Sequence, residues 1–220
     1  MWDLSKHEKI EIETLSILNA EKALDNLVFC GGTMLRLCHE LDRYSVDLDF
    51  WLLKGELKDL FENIKKPLDE HFVLRKSILS KDAILFEYKS PGYQRALKFE
   101  VKIPKGKVDY EKKIAYSKHH SVQVLLNAAT LEQMMKDKVE AFIDRRAIRD
   151  AFDIEFLARR GIDLPDNKNN LEKAEKILKK FKAKDFTISL GSLLEFQKRH
   201  FYKQAKFSFL LSKIKEKLTI

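Results

Sequence analysis

Leu27-Val28-Phe29-Cys30-Gly31-Gly32-Thr33-Met34-Leu35, followed by Arg43-Tyr44-Ser45-Val46-Asp47-Leu48-Asp49-Phe50-Trp51, is the part of the chain whose reading decides the fold. Leu27 to Cys30 is a short apolar run that reads as a strand, and Gly31-Gly32-Thr33 ends it. From Thr33 to about Leu41, Met34, Leu35, Leu37, Cys38 and Leu41 recur at helical spacing. Ser45 to Trp51 then alternates strictly, with Val46, Leu48 and Phe50 on one face and Ser45, Asp47 and Asp49 on the other. A strand, a diglycine turn, a helix and a second strand carrying two carboxylates on one face therefore follow each other within 25 residues.

Two acids that close repel unless a positive charge lies between them, and a hard divalent cation is the common solution. Such pairs hold Mg²⁺, or Mn²⁺ in its place, against the phosphates of a nucleotide. The glycines let backbone N–H groups approach a phosphate, and the helix that follows adds a favourable dipole. A third acid would come from a neighbouring strand. Glu100 fits, because Leu97, Phe99, Val101 and Ile103 take the core face of the run Ala96 to Ile103; Glu87, in the run Ala83 to Tyr88, is the alternative. The turn signal Ser90-Pro91-Gly92 separates those two runs.

Further out the chain turns helical. Ser5 to Leu24 and Leu57 to Phe72 read as helices, the latter with Pro67 inside or ending it. Thr130 with Gln133 three residues on forms a capping box that starts a helix carrying Lys138 and Phe142. Were that helix unbroken, Lys138, Phe142, Arg145 and Arg149 would form one stripe, and Asp150 would project about a third of a turn away. Asp150 and Asp153 open the next helix, which ends at Arg160 before Gly161. Asp163 to Asn170 reads as a linker, and after it come a helix over Leu171 to Phe181 and a final basic pair reaching Ile220. The expected division is a core over residues 1–125 and a helical region over residues 126–220.

Charge is uneven along the chain and gathers in its last part. The 220 residues carry 42 Lys plus Arg and 34 Asp plus Glu, a net of +8. Residues 168–220 alone hold 14 basic and 5 acidic side chains, a net of +9, which leaves the rest near neutral. A basic helical segment attracts polyanions, and nucleic acid is the usual one. With 45% apolar and 10% aromatic residues the chain has enough side chain to build a core. No apolar run approaches the ~20 residues of a membrane span. Met1-Trp2-Asp3-Leu4-Ser5-Lys6 lacks the apolar stretch of a secretory signal. Two cysteines, Cys30 and Cys38, cannot build a disulfide framework and read as packed thiols, so a cytoplasmic setting is expected. His119-His120 has no acid or cysteine cluster beside it and is not read as a metal site.

The motif Gly31-Gly32-Thr33-Met34-Leu35 with Arg43-Tyr44-Ser45-Val46-Asp47-Leu48-Asp49-Phe50 resembles the first motif of the AbiEii/AbiGii-type nucleotidyltransferases. These are toxin-like members of the DNA polymerase β nucleotidyltransferase superfamily. Lys138, Ala141, Arg145, Arg149-Asp150 and Asp153 resemble the family's second signature, and together the two motifs cover residues 10–160. The resemblance implies an α/β (α+β) fold with a short mixed sheet, helices on one face and the active site on the other, followed by a helical C-terminal region. It implies that Asp47 and Asp49 hold the metal, with Glu100 as third acid. Gly31, Gly32, Thr33, Arg43 and Ser45 would contact the nucleotide, and Lys138 would neutralise triphosphate charge. Asp150 would support the lysine or take part in proton transfer. Family members act as toxins of type IV toxin–antitoxin or abortive-infection pairs, and some extend the 3′ end of transfer RNA. The expected activity is therefore transfer of a nucleoside monophosphate from an NTP to RNA, with a cognate antitoxin as a possible partner. A protein or small-molecule hydroxyl as acceptor, or RNA binding without chemistry, are the rival readings.

Overall fold

In a computed structural model that describes residues 3–219, the chain divides into two compact units. The first comprises the chain to Glu40 and Tyr44–Ala129; the second comprises Leu41–Arg43 and everything from Thr130 onward.

The first unit is built on a seven-stranded mixed sheet. Its strands are β1 (Leu27–Cys30), β2 (Asp47–Leu52), β3 (Val73–Leu79), β4 (Ala83–Lys89), β5 (Leu97–Lys102), β6 (Tyr110–Ser117) and β7 (His120–Ala129), in the spatial order β3-β4-β5-β2-β1-β7-β6. The pairs β1–β7 and β2–β5 are parallel and the others antiparallel. Three helices complete the unit: α1 (Leu4–Ala20), α2 (Gly31–His39) and α3 (Leu57–Asp69). A short 3₁₀ turn over Ala23–Asn26 leads into β1. The side chain of Asp3 caps α1 by accepting from the Lys6 N–H at 3.1 Å.

Alternation built the central strands as expected. Leu48 and Phe50 of β2, Phe86 of β4 and Phe99 of β5 are buried on one face, where Phe29, Phe50 and Phe99 stack in sequence with centroids about 5 Å apart. Helix α3 delivers Phe61 onto Phe86, and α1 packs beside α3 and against β7. Pro67 lies in the last turn of α3. The turn at Ser90-Pro91-Gly92 closes through the Tyr93 N–H donating to the Ser90 carbonyl at 3.1 Å.

Three strands lie outside the sequence reading. Edge strand β3 exposes Val73 and Ile78, so its residues show no inside–outside alternation. In the hairpin β6–β7 the usual pattern is inverted: Ile114 and Leu125 sit opposite each other and are 50% and 57% exposed, while Ala115 and Ser117 are buried.

The second unit is all helical: α4 (Leu131–Arg145), α5 (Ile148–Arg159), α6 (Lys168–Leu178), α7 (Phe196–Ala205) and α8 (Ser208–Thr219). A π-helical turn over Asp185–Leu190 and a 3₁₀ turn over Gly191–Leu193 precede α7. Thr130 caps α4, its Oγ1 accepting from the Gln133 N–H at 3.2 Å. Helix α4 does not run on into α5. Arg146 takes a left-handed conformation at φ 53° and ends it, so Arg149 leaves the stripe that Lys138 and Arg145 share. Helix α5 ends as read from the sequence, with Gly161 at φ 83° just beyond Arg160. Phe142, Phe181, Phe186, Phe207 and Tyr202 form a connected aromatic core. The expected linker is shorter than read, because Asn167 caps α6 and Lys168 opens it. Ile220 lies outside the described residues, as do Met1 and Trp2 of the N-terminal stretch read against a secretory signal. Among the described residues no helix is long and apolar enough to cross a membrane.

Candidate active site

The sheet sets the geometry of the first unit's candidate site. On β2, Asp47 and Asp49 both leave the face opposite Leu48 and Phe50, and both are half-buried. Register places Asp49 beside Glu100 and Asp47 beside Lys98 across the parallel β2–β5 pair. Glu87 faces Lys98 from β4. The expected third acid therefore stands next to Asp49, but it has partners: Lys98 and Lys102 approach its carboxylate at 3.2 and 3.0 Å. Burial pushes the Glu100 carboxyl up, and these two lysines outweigh that push, so it is held below the usual carboxylate range. Among the described residues no group of three His, Cys, Asp or Glu side chains is disposed to hold a metal ion.

Gly31 explains why the turn is glycine. Its φ is 81°, a region that L side chains avoid, and a Cβ there would lie 2.7 Å from Asp49 Oδ2. The missing side chain is the space that the Asp49 carboxylate occupies. Gly32 is buried in the first turn of α2. Thr33, expected at the phosphate end, is buried and donates its hydroxyl to the Asp47 carbonyl at 2.6 Å. Ser45 is half-buried two residues before Asp47.

Further contacts fix the approach to β2, and sequence reasoning missed them. His7 lies 2.9 Å from the Val46 carbonyl through Nε2, and the Cys30 thiol donates to the Asp49 carbonyl at 3.4 Å. Glu8 accepts from Arg36 at 2.9 Å and from Ser117 at 2.5 Å. The Arg36 guanidinium lies over the Tyr44 ring at 4.6 Å, and the Tyr44 hydroxyl meets His119 Nε2 at 3.3 Å. His119 returns to Ser117 by donating its backbone N–H, which closes a loop of contacts around Tyr44. Glu11 is wholly buried, and burial first, then the charges of Glu8 and Asp47, raise its carboxyl well above the usual range. The available signal was on α1, where His7, Glu8 and Glu11 interrupt the face that also carries Ile12, Leu15 and Leu18. His119 and His120 diverge, His120 reaching the Val122 N–H and, at 3.7 Å, Glu13.

The second unit holds the second motif as a buried charge cluster. Asp153 is fully buried and lies between two cations. Arg43 donates Nε and Nη2 to its two oxygens at 2.6 Å each, and Lys138 Nζ approaches Oδ2 at 2.6 Å. Lys138 also stands 3.6 Å from Asp150, which Arg145 grips with two bonds of 2.6 Å. Burial alone would raise the Asp153 carboxyl; Arg43 and Lys138 outweigh it and hold the group below its ordinary value. Arg43, expected at the nucleotide, is 2% exposed with its fork committed to Asp153. The break at Arg146 swings Asp150 back beside Lys138, which an unbroken helix would not do.

A mixed sheet carrying paired acids after a glycine turn, with helices packed on it, defines the fold as that of a nucleotidyltransferase. The family model for the AbiEii nucleotidyl transferase toxin of type IV toxin–antitoxin systems matches residues 14–219, and the chain belongs to that family. Two crystal structures share the fold at 16% sequence identity. JHP933 from Helicobacter pylori superposes with a TM-score of 0.58, over 98% of this chain and 95% of its own. A suspected nucleotidyltransferase from H. pylori superposes with a TM-score of 0.59, over 98% of both chains. No curated protein matches the chain. The chain is thus a toxin nucleotidyltransferase by family, and that family implies an NTP substrate and a cognate antitoxin.

Proposed function

We propose that the protein transfers a nucleoside monophosphate from an NTP to the 3′-hydroxyl of an RNA, with transfer RNA as the first acceptor to test. The observation that carries this reading is the pair Asp47 and Asp49 on one face of β2, with Gly31 leaving room for the Asp49 carboxylate. Asp47 has no hydrogen-bonding or ion-pairing partner for its carboxylate among the described residues, which leaves it available to a cation.

The donor set suits Mg²⁺ or Mn²⁺, because Mg²⁺ at phosphotransfer sites takes one or two carboxylates and fills its other positions with substrate phosphates and water. Asp47 and Asp49 would hold the ion, and bound there it would supply charge neutralisation and polarisation at the phosphates. Glu100 is the third acid of this reading and would have to leave Lys98 and Lys102 to reach an ion.

In the reaction the hydroxyl oxygen forms a bond to the α-phosphorus. The bond from that phosphorus to the β-bridging oxygen breaks, pyrophosphate leaves, and the hydroxyl proton is released to solvent. Gly31, Gly32 and Ser45 would line the phosphate end, and Thr33 holds β2 in place from the start of α2. Lys138, in the second unit, is the residue that the family's second motif would assign to neutralising triphosphate charge. The cluster around it, two aspartates against Lys138, Arg43 and Arg145, keeps a net charge of +1. Asp150 supports the lysine in this scheme, since it is fully buried and tied to Arg145.

Incubation of the purified protein with α-labelled NTPs, Mg²⁺ and total RNA tests the reading. Label is expected in RNA with wild type and not with Asp49→Ala. Label on protein or on a small molecule would move the acceptor; equal labelling by Asp49→Ala would remove the assigned site.

A further inference from the structure

The joint between α4 and α5 carries a second cluster of cations that the charge network above does not use. A cleft of about 260 Å³ opens there, lined among others by Arg146, Arg149, Phe181, Asp185 and Ser189. Five arginines elsewhere are engaged: Arg36 by Glu8, Arg43 by Asp153, Arg145 by Asp150, Arg159 by Glu155 and Arg199 by the Leu194 carbonyl. Arg75 and Arg95 are not, but they do not line this cleft, whereas Arg146 and Arg149 meet in it. Among the described residues neither guanidinium has a hydrogen-bond or ion-pair partner, although both face one cleft. Two such forks brought together repel, and an anion between them turns that repulsion into attraction.

Arg146 stands at φ 53°, the left-handed helix-ending position that Glu40 and Lys206 also take at the ends of α2 and α7. The Asp185 carboxylate also lines the cleft but accepts from the Lys182 N–H at 2.7 Å. With two arginines and one aspartate the lining carries a net charge of +1, which matches the single charge of a phosphodiester. Phe181, half-buried in the same wall, is held by the rings of Phe142, Phe186 and Phe207 and gives the cleft a fixed apolar side. The volume falls below the range of pockets that enclose a whole drug-sized ligand, which disfavours a complete NTP.

We infer that the Arg146–Arg149 cleft binds a backbone phosphate of the acceptor RNA. This rests on the RNA reading above and adds where the strand is held.

The test uses the full-length protein without NTP and a fluorescein-labelled single-stranded RNA dodecamer, read by polarisation across a salt series. Arg146→Asn keeps the left-handed residue and removes the guanidinium; Arg149→Gln removes the other fork. The double variant is expected to bind about tenfold more weakly, with the log–log salt slope smaller by about 0.7, the value for one phosphate on a single strand. Lys203→Ala with Lys206→Ala, a change of equal charge elsewhere in the second unit, is expected to lower affinity less. Unchanged affinity and slope in the double variant would overturn the inference. So would ATP displacing the RNA from wild type at a concentration that leaves RNA bound to the double variant, since the cleft would then take a nucleotide. Should the double variant melt early, Arg146→Asn alone, at an exposed position, carries the test with the same expected direction. Wild-type protein that binds no RNA would overturn both the cleft and the RNA acceptor. Nucleotidyl transfer lost in Asp49→Ala would still stand, because label transfer is measured separately.

Discussion

Asp153 shows how much one side chain can depend on residues far away in sequence. Its position in the first turns of a helix suggests only a carboxylate complementing the helix dipole, yet it joins Arg43 of the first motif to Lys138 of the second. Spacing within one helix cannot reveal a partner 110 residues away. Asp153→Asn would leave Arg43 and Lys138 buried against a neutral amide, and breaking a buried pair in this way costs about 3–5 kcal/mol. The native carboxyl is held below its unfolded value of about 3.9, so its contribution is complete above that pH and disappears as the pH falls through the lower native value. Thermal melts from pH 6 down to pH 2.5 should therefore show a steep acid loss in wild type and a shallower one, from a lower starting point, in Asp153→Asn. Gly31 is the opposite case, legible from sequence because a diglycine between strand and helix has few other uses. Gly31→Ala is expected to cost about 1–2 kcal/mol from its left-handed backbone. It should also displace the Asp49 carboxylate and lower label transfer by as much as ~100-fold, more than the drop in melting temperature explains.

At the level of elements, legibility followed burial. β1, β2, β4 and β5 alternate or run apolar because the sheet buries one of their faces, and α2, α4 and α5 carry caps or periodicity that the structure retains. β3 stayed hidden because both its faces meet solvent, and β6 because its outward residues are the apolar ones. The joint at Arg146 was also hidden, since a break without Gly or Pro leaves no local mark; that break is what places Asp150 beside Lys138. Thr130 tests how far the α4 cap supports the second motif. Thr130→Ala removes the bond to the Gln133 N–H and should lower stability by about 1 kcal/mol in denaturant unfolding, with label transfer nearly retained. Loss of transfer at full stability would mean that the start of α4 does more than begin a helix.

Across the whole molecule, the two units each have their own core: stacked phenylalanines on the sheet in one, the Phe142–Phe207 aromatic cluster in the other. Proteins with more than one core often depart from two-state unfolding. Calorimetry is accordingly expected to give a total enthalpy above the van't Hoff value, and Asp153→Asn to shift only part of the transition; one symmetrical peak that moves as a whole would count against separate cores. The short excursion Leu41–Arg43 has a practical bearing on dissecting such a molecule. Because those three residues fold with the second unit, no single cut in the gene yields both units intact. A fragment stopping at Ala129 would carry Arg43 away from its aspartate, and one starting at Thr130 would keep Asp153 but lose the arginine that grips it. Exchange of halves between relatives, by recombination or by design, must therefore carry a matched Arg43 and Asp153 or begin with a mismatched buried charge.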